Sequence, residues 1–190
     1  MITLHYNTPA TWTETVLADF DRFLLDHAAA EKKASGMAMS MVSHYPDKVA
    51  IVQTMTELAV EELVHFKQVV KLIIARGLTL GSDEKDPDIN ALRKLFRQGT
   101  EFFLLDRLLI AGIIEARGHE RFGLVADALP AGEDKRFYRA ITRSEAKHSE
   151  VFIDLAQQYF SNDEVNTRLN ELLALESAIC AELPLRAALH

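Results

Sequence analysis

The stretches EELVH at residues 61–65 and SEAKH at residues 144–148 each place a glutamate three residues before a histidine. On an α-helix, residues three apart lie on the same face, so the two side chains of each pair can point at one site. A further glutamate precedes each pair by about 30 residues, in another helical stretch. The sequence therefore contains two copies of one unit: Glu31, Glu62 and His65, followed by Glu115, Glu145 and His148.

These six side chains predict a metal site. Four carboxylates and two imidazoles projecting inward from helices are the ligands of a carboxylate-bridged dinuclear centre in a four-helix bundle. Oxygen-rich ligand sets with one imidazole per metal suit iron or manganese better than zinc or copper. Glu31 lies on an apolar stripe, where a carboxylate is costly unless it is paired or bound to a metal. The expected arrangement has Glu31 and Glu115 as terminal ligands, Glu62 and Glu145 as bridges, and His65 and His148 on one metal each.

Helical periodicity extends through most of the chain and predicts five long helices. Their approximate ranges are 12–43, 46–76, 100–129, 133–160 and 162–183. The connection over residues 77–99 includes a short helix at about 89–98. It is long for adjacent antiparallel helices and suits a crossover along a bundle. We predict one all-α domain over residues 1–190, with a four-helix core at about 12–160 and an additional C-terminal helix at about 162–183.

The composition is typical of a compact protein in a reducing compartment. Hydrophobic residues make up 48% and charged residues 26%, and the chain has few Gly and Pro, which favours a globular helical domain. Cys180 is the only cysteine, which excludes an internal disulfide or a thiolate metal cluster and predicts a cytoplasmic protein. The sequence shows neither a secretory leader nor a membrane span. The formal net charge of −7 argues against broad affinity for nucleic acids, although a local basic face can still exist.

Two histidines lie one helical turn from a predicted ligand. His119 follows Glu115 and His27 precedes Glu31, so both can approach the metals beside the side chains that bind them. A hydrogen-bonded or partly exposed histidine is the alternative in each case. Three further glutamates are expected at the surface: Glu61, Glu120 and Glu150.

Beyond the ligands, the flanking sequence resembles the bacterial tRNA hydroxylase family that acts on 2-methylthio-isopentenyladenosine beside the anticodon, within the ferritin-like di-iron superfamily. The segments that carry the resemblance are DHAAAEKKA (26–34), EELVHF (61–66), ARGL (75–78), IEARGHERF (114–122) and SEAKH (144–148). With the length and the fifth helix, it covers nearly the whole chain. It implies a ferritin-like four-helix bundle with a long crossover connection and an additional C-terminal helix.

The resemblance also implies an activity, an O2-dependent, non-haem di-iron monooxygenase that hydroxylates the isopentenyl side chain of the modified adenosine in tRNA. Two iron ions would be held by the six glutamates and histidines of the repeated unit. Electrons would come from a separate reductase or ferredoxin-type donor, because nothing in the sequence resembles a flavin or iron–sulfur module. A monomer or dimer is expected rather than a cage.

Basic residues gather in three places that could contact tRNA phosphates around an exposed base. Ordinary solvated helix faces are the alternative, and a fall in tRNA affinity with rising salt would distinguish the two. The candidates are Arg93, Lys94 and Arg97; Arg117 and Arg121; and Lys135, Arg136, Arg139 and Arg143.

Two other functions are compatible with the same ligands. A ferroxidase or iron-storage protein would oxidise Fe(II) without an organic substrate, and the storage version predicts a large hollow assembly. A manganese catalase-like enzyme or peroxidase would act on peroxide. A rubrerythrin is disfavoured, because the chain lacks the cysteine pairs of a rubredoxin-like centre.

Overall fold

The computed structural model describes residues 2–190, and over that range it contains eight helices and no strand. The predicted all-α class is confirmed. Within the same residues, no helix has the length and apolar character that crossing a membrane requires. The helices are α1 (Ala10–Ala18), α2 (Phe20–His44), α3 (Val49–Ala75), α4 (Pro87–Arg93), α5 (Thr100–Ala128), α6 (Glu133–Glu145), α7 (His148–Tyr159) and α8 (Asn162–Glu182).

Contacts divide the described residues into two compact units. The α2–α3 unit comprises residues 14–84 and 186–189, and the α5–α8 unit comprises residues 2–13, 85–185 and 190. The single domain predicted for residues 1–190 stays a prediction. The connection predicted over 77–99 contains the short helix α4, which begins two residues earlier than predicted and ends at Arg93.

Helices α2 and α3 form an antiparallel pair joined by a short turn. Arg76, just after α3, donates to Asp21 at the start of α2 (Nη1–Oδ1 3.1 Å), and the Ser35 hydroxyl donates to the Ala59 carbonyl further along (2.9 Å). The buried apolar residues of the pair recur at the spacing of helices that bury one face. Among them are Phe23, Leu24, Met41, Ile51, Met55 and Ile73.

The first predicted helix is interrupted, and the second begins later than expected. Asp19 leaves the helical region (φ −138°, ψ 60°), and its carboxylate accepts the Arg22 backbone N–H as the N-cap of α2. Pro46 lies in the turn before α3, which starts at Val49. At the other end α3 stops as predicted, since Gly77 has a φ of +75°, which glycine adopts without penalty.

In the α5–α8 unit, α6 and α7 run antiparallel to the long, largely buried α5. A Cβ built on Gly112 would lie 3.3 Å from both the Phe152 Cβ and the Ser149 carbonyl oxygen. This glycine therefore allows α5 and α7 to approach more closely than a larger residue would.

The helix predicted over 133–160 is two helices, so its expected continuity was wrong. α6 ends at Glu145 and α7 begins at His148, with Ala146 and Lys147 in a turn between them. The Glu150 N–H donates to the Lys147 carbonyl, a three-residue spacing that is tighter than the α-helical ladder. The interruption falls between the glutamate and the histidine of the second Glu-x-x-His pair.

Buried ion pairs connect α5 to α8. Arg117 donates to Glu176 through Nε (2.9 Å) and Nη2 (3.1 Å), and Arg168 Nε donates to Asp106 Oδ1 (2.8 Å). Burial raises the pKa of Asp106, but hydrogen bonds from Arg168 and Arg97 outweigh that effect, so the pKa lies below its ordinary value. Charged groups are rarely buried unless they are paired, so these contacts fix the position of α8 on α5.

Candidate metal centre

The α2–α3 unit holds the first copy of the repeated unit as a buried cluster. One ligand atom each of Glu31, Glu62 and His65 lies within 4.8 Å of the others. His65 Nδ1 is 3.5 Å from Glu62 Oε2 and 3.8 Å from Glu31 Oε2. All three side chains are inside because they occupy the apolar faces of α2 and α3, which face each other across the antiparallel pair.

The α5–α8 unit holds the second copy in a similar arrangement. One ligand atom each of Glu115, Glu145 and His148 lies within 4.8 Å of the others, and the three residues are nearly or fully buried. His148 Nδ1 is 2.8 Å from Glu145 Oε2 and 3.8 Å from Glu115 Oε2. The pair Glu145 and His148 is brought together although the helix is interrupted between them.

The repeat extends to the hydrogen bonds that support each cluster. Four residues after the first glutamate of each copy, a side chain bonds a backbone carbonyl of the facing helix. In the first copy the Ser35 hydroxyl donates to the Ala59 carbonyl (2.9 Å), and in the second His119 Nδ1 donates to the Thr142 carbonyl (2.9 Å). Each carbonyl belongs to the residue three positions before the glutamate of the Glu-x-x-His pair. The two copies thus share an interhelical hydrogen bond at the same place, as well as the same set of predicted ligands.

The two neighbouring histidines have different surroundings. His27 is fully buried and its Nε2 lies 2.6 Å from Glu31 Oε1, so it touches a predicted ligand. His119 instead donates a hydrogen bond from Nδ1 to the Thr142 carbonyl and thereby connects α5 to α6. Sequence spacing alone could not separate them, because both lie one turn from a glutamate.

Each cluster fits a divalent cation of the iron or manganese type. Carboxylate oxygens and one imidazole are ligands that such metals accept. Two buried carboxylates per cluster would carry about two negative charges, which burial opposes strongly unless positive charge compensates them. One divalent cation for each pair of glutamates supplies that compensation.

The structure corrects the expectation that Arg117 and Arg121 contact tRNA. Their side chains are only 2% and 6% exposed. Arg117 is bonded to Glu176 and Glu120, and Arg121 lies over the Trp12 ring (5.2 Å from Cζ to the ring centroid). Burial lowers the pKa of Arg121 below its ordinary value. Both arginines are structural groups of the interior and cannot reach a phosphate.

Other polar residues also have roles that the sequence did not indicate. Glu120, expected at the surface, accepts the backbone N–H (2.9 Å) and the hydroxyl (2.7 Å) of Thr8. Arg97 is bound to Asp106 through its backbone and its guanidinium. Lys135 Nζ donates to the carbonyls at the end of α5, including that of Leu129 (2.7 Å). Glu61 and Glu150 are exposed, as expected.

The remaining basic candidates are exposed, and some align on one face of α6. Arg93 and Lys94 lie at the end of α4. On α6, exposed cations recur at intervals of three and four residues, which places them along one helical face. Lys147, in the turn after α6, continues this row of cations, although it was not among the predicted residues. Its spacing of four residues from Arg143 is the sequence signal that would have indicated it. We call Arg136, Arg139, Arg143 and Lys147 the α6 basic face.

Comparison with known proteins places this architecture among tRNA-modifying proteins. The family model described as tRNA-(MS[2]IO[6]A)-hydroxylase (MiaE) matches residues 1–190. The tRNA 2-(methylsulfanyl)-N(6)-isopentenyladenosine(37) hydroxylase of Pseudomonas putida is 37% identical over 152 residues, which cover 80% of this chain and 74% of that protein. The protein of the same name from Salmonella typhimurium is 33% identical over 139 residues, 73% of this chain and 50% of its own length.

A solved structure matches the fold of this chain over nearly the full length of both proteins. It is described as protein 43 with aldehyde deformylating oxygenase activity from Synechococcus, and it superposes with a TM-score of 0.93 at 33% identity. The match covers 98% of this chain and 93% of that one. The predicted ferritin-like fold class is confirmed.

Proposed function

The chain belongs to the tRNA-(MS[2]IO[6]A)-hydroxylase family, and we propose that it hydroxylates the isopentenyl side chain of 2-methylthio-isopentenyladenosine in tRNA with two iron ions and O2. The observation that carries the proposal is the family match over residues 1–190 together with two buried Glu, Glu, His clusters in the same chain. The match favours tRNA hydroxylation over the iron-storage and catalase-like alternatives.

We propose that both clusters serve one dinuclear centre. Glu31 and Glu115 would be terminal ligands, Glu62 and Glu145 would bridge, and each histidine would bind one metal. When bound, the iron ions supply activation of O2, a reaction that amino-acid side chains do not perform. The chain's own contribution is to hold the six ligand side chains, to balance cationic charge with four carboxylates, and to exclude bulk water by burying the ligands.

Monooxygenation consumes electrons, because the second oxygen atom of O2 is reduced to water. We therefore propose a separate reductase or ferredoxin-type partner and a cytoplasmic location, where tRNA and such donors coexist. The enzyme would be a monomer or dimer, and gel filtration tests that proposal. A large cage assembly would contradict it.

We further propose that the α6 basic face contacts tRNA phosphates near the modified base. Its four cations are exposed on α6 and in the turn that follows it, whereas Glu145, at the end of the same helix, is buried in the second cluster. Cations concentrated there would permit phosphate contact despite the net charge of −7. Arg93 and Lys94 are further exposed candidates.

Salt dependence of tRNA binding tests the α6 basic face. Each phosphate contact with a single strand contributes a slope of about −0.7 to log affinity against log salt. The double variant Arg139→Ala/Arg143→Ala should bind more weakly, with a slope reduced by roughly 1.4. Arg22→Ala, which removes an exposed cation of α2 that pairs with Glu84, is the matched control and should keep the wild-type slope. An unchanged slope in the double variant would contradict the proposal.

Mass spectrometry of nucleosides tests the activity itself. tRNA that carries 2-methylthio-isopentenyladenosine is incubated with the iron-loaded protein, a reductant and O2. We expect that nucleoside to gain one oxygen atom, and the gain to be absent with Glu62→Ala. A protein with two bound irons and active reduction but no oxygen gain would contradict hydroxylation while leaving the metal centre intact.

A further inference from the structure

The two oxygens of Glu31 have different partners. Oε1 lies 2.6 Å from His27 Nε2, one turn earlier on α2, whereas Oε2 faces the cluster and lies 3.8 Å from His65 Nδ1. An ionised carboxylate can only accept hydrogen bonds, so Nε2 of His27 carries the hydrogen and donates. His27 is fully buried, and Glu31 is 4% exposed, so bulk water does not compete for this bond.

The second cluster is built differently at the same place. The residue one turn before Glu115 is Ala111, whose methyl group cannot donate a hydrogen bond. The histidine one turn after it, His119, is bound to the Thr142 carbonyl. Glu115 Oε2 is nevertheless 3.8 Å from His148 Nδ1, the same separation as in the first cluster. An imidazole donor therefore supports the first cluster at a position where the second has alanine.

We propose that His27 is a positioning residue that holds Glu31 through Oε1 and thereby directs Oε2 to the metal. The metal position served by Glu31 depends on this donor, and the position served by Glu115 does not. The inference rests on the metal centre proposed above. Outer-shell partners of metal ligands typically change metal affinity by about 10- to 100-fold when they are removed.

A purely structural role for the His27 ring is the competing explanation. The ring packs near Phe23, with ring centroids 6.2 Å apart. If filling this space were its only role, a phenylalanine at position 27 would preserve metal binding. If the donor matters, glutamine should preserve binding because its amide can donate from a similar position, and methionine of similar length should not.

The test is an anaerobic titration of the metal-free full-length protein with Fe(II), in which calorimetry measures the affinity of each binding step. Wild type should bind two ions. His27→Phe and His27→Met should weaken one of the two binding steps by about 10- to 100-fold and leave the other unchanged. His27→Gln should remain within a few-fold of wild type. His44→Met is the matched control, because it removes an exposed histidine from the end of the same helix, outside both clusters, and both steps should stay at wild-type affinity.

The outcomes separate the two proposals. Wild-type affinity at both steps in His27→Phe and His27→Met would overturn the positioning role, as would equal weakening in His44→Met. A wild-type protein that binds no Fe(II) would instead overturn the metal centre. If circular dichroism shows that the phenylalanine and methionine variants do not fold, His27→Asn replaces them, since its shorter amide does not reach Glu31. That variant must then show the same weakening of one binding step.

Discussion

The α2–α3 and α5–α8 units carry the same Glu, Glu-x-x-His arrangement on helices that differ in continuity. α3 runs without interruption through Glu62 and His65, whereas the second pair is split between α6 and α7. The histidine-to-glutamate distance is 3.5 Å in the first pair and 2.8 Å in the second. A glutamate and a histidine three residues apart can therefore meet across a break in the helix, provided that both remain on the inner face.

The units also differ in how charge stabilises them. In the α5–α8 unit, Arg117 and Glu176 are paired in the interior. In the α2–α3 unit, the segment after α3 is attached to α2 by surface pairs such as Arg22 with Glu84, whose side chains are 54% and 63% exposed. Breaking a buried pair leaves an uncompensated charge, whereas an exposed pair is screened by water.

The largest difference between the units should appear when one partner of each pair is removed. Glu176→Ala leaves the buried Arg117 guanidinium without its main partner and should lower the free energy of unfolding by about 3–5 kcal/mol. Glu84→Ala should lower it by at most about 1 kcal/mol. Urea unfolding of both variants gives the two values. Equal losses would show that burial does not distinguish the two pairs.

Acid should weaken the Asp106 ion pairs of the α5–α8 unit. The folded-state pKa of Asp106 lies below its ordinary value, so its ionised form favours the folded state. That contribution is complete above the unfolded pKa of about 3.9 and is lost as pH falls through the lower folded pKa. The stability difference between wild type and Asp106→Asn should therefore shrink below about pH 4. Urea unfolding at several pH values measures it, and a difference that grows with acid would contradict the account.

A smaller contrast concerns helix packing. Gly112→Ala would place a methyl group 3.3 Å from the Ser149 carbonyl oxygen and the Phe152 Cβ. Overpacking of this kind lowers the free energy of unfolding by roughly 1–3 kcal/mol. The better helix propensity of alanine offsets part of that loss. Gly36 on α2 has open space around a built Cβ, so Gly36→Ala should gain up to about 1 kcal/mol. Thermal unfolding compares the two variants. If Gly112→Ala were the more stable, the close approach of α5 and α7 would not be limiting.

The helical parts of the fold could be predicted because they depend on local periodicity. The spacing of Glu62 and His65, the small residues around Glu31 and the glycine after Arg76 each determine local geometry, and the structure agrees with all three. The break at Asp19 was missed because the apolar period continues across it. Its signal, a capping aspartate within an apolar pattern, is weak in a sequence.

The surroundings of the clusters could not be predicted because they depend on residues distant in sequence. Arg117 resembles a surface cation until Glu176, 59 residues later, is placed against it by α8. His27 and His119 have equivalent spacing, and only the packed structure shows that one bonds a carboxylate and the other a carbonyl. Tertiary contacts decide such cases, and helical period does not report them.

We propose that the two clusters serve one two-iron centre, and electron paramagnetic resonance of the oxidised, iron-loaded protein tests this proposal most directly. Iron ions bridged by glutamates couple their spins, so we predict two irons per chain without the signal of isolated ferric iron. Glu115→Ala should keep its helical fold, lose at least one iron and give that isolated signal from any iron that remains, whereas Glu150→Ala, an exposed control, should match wild type. Two uncoupled irons in the wild type, or full iron content in Glu115→Ala, would contradict the account.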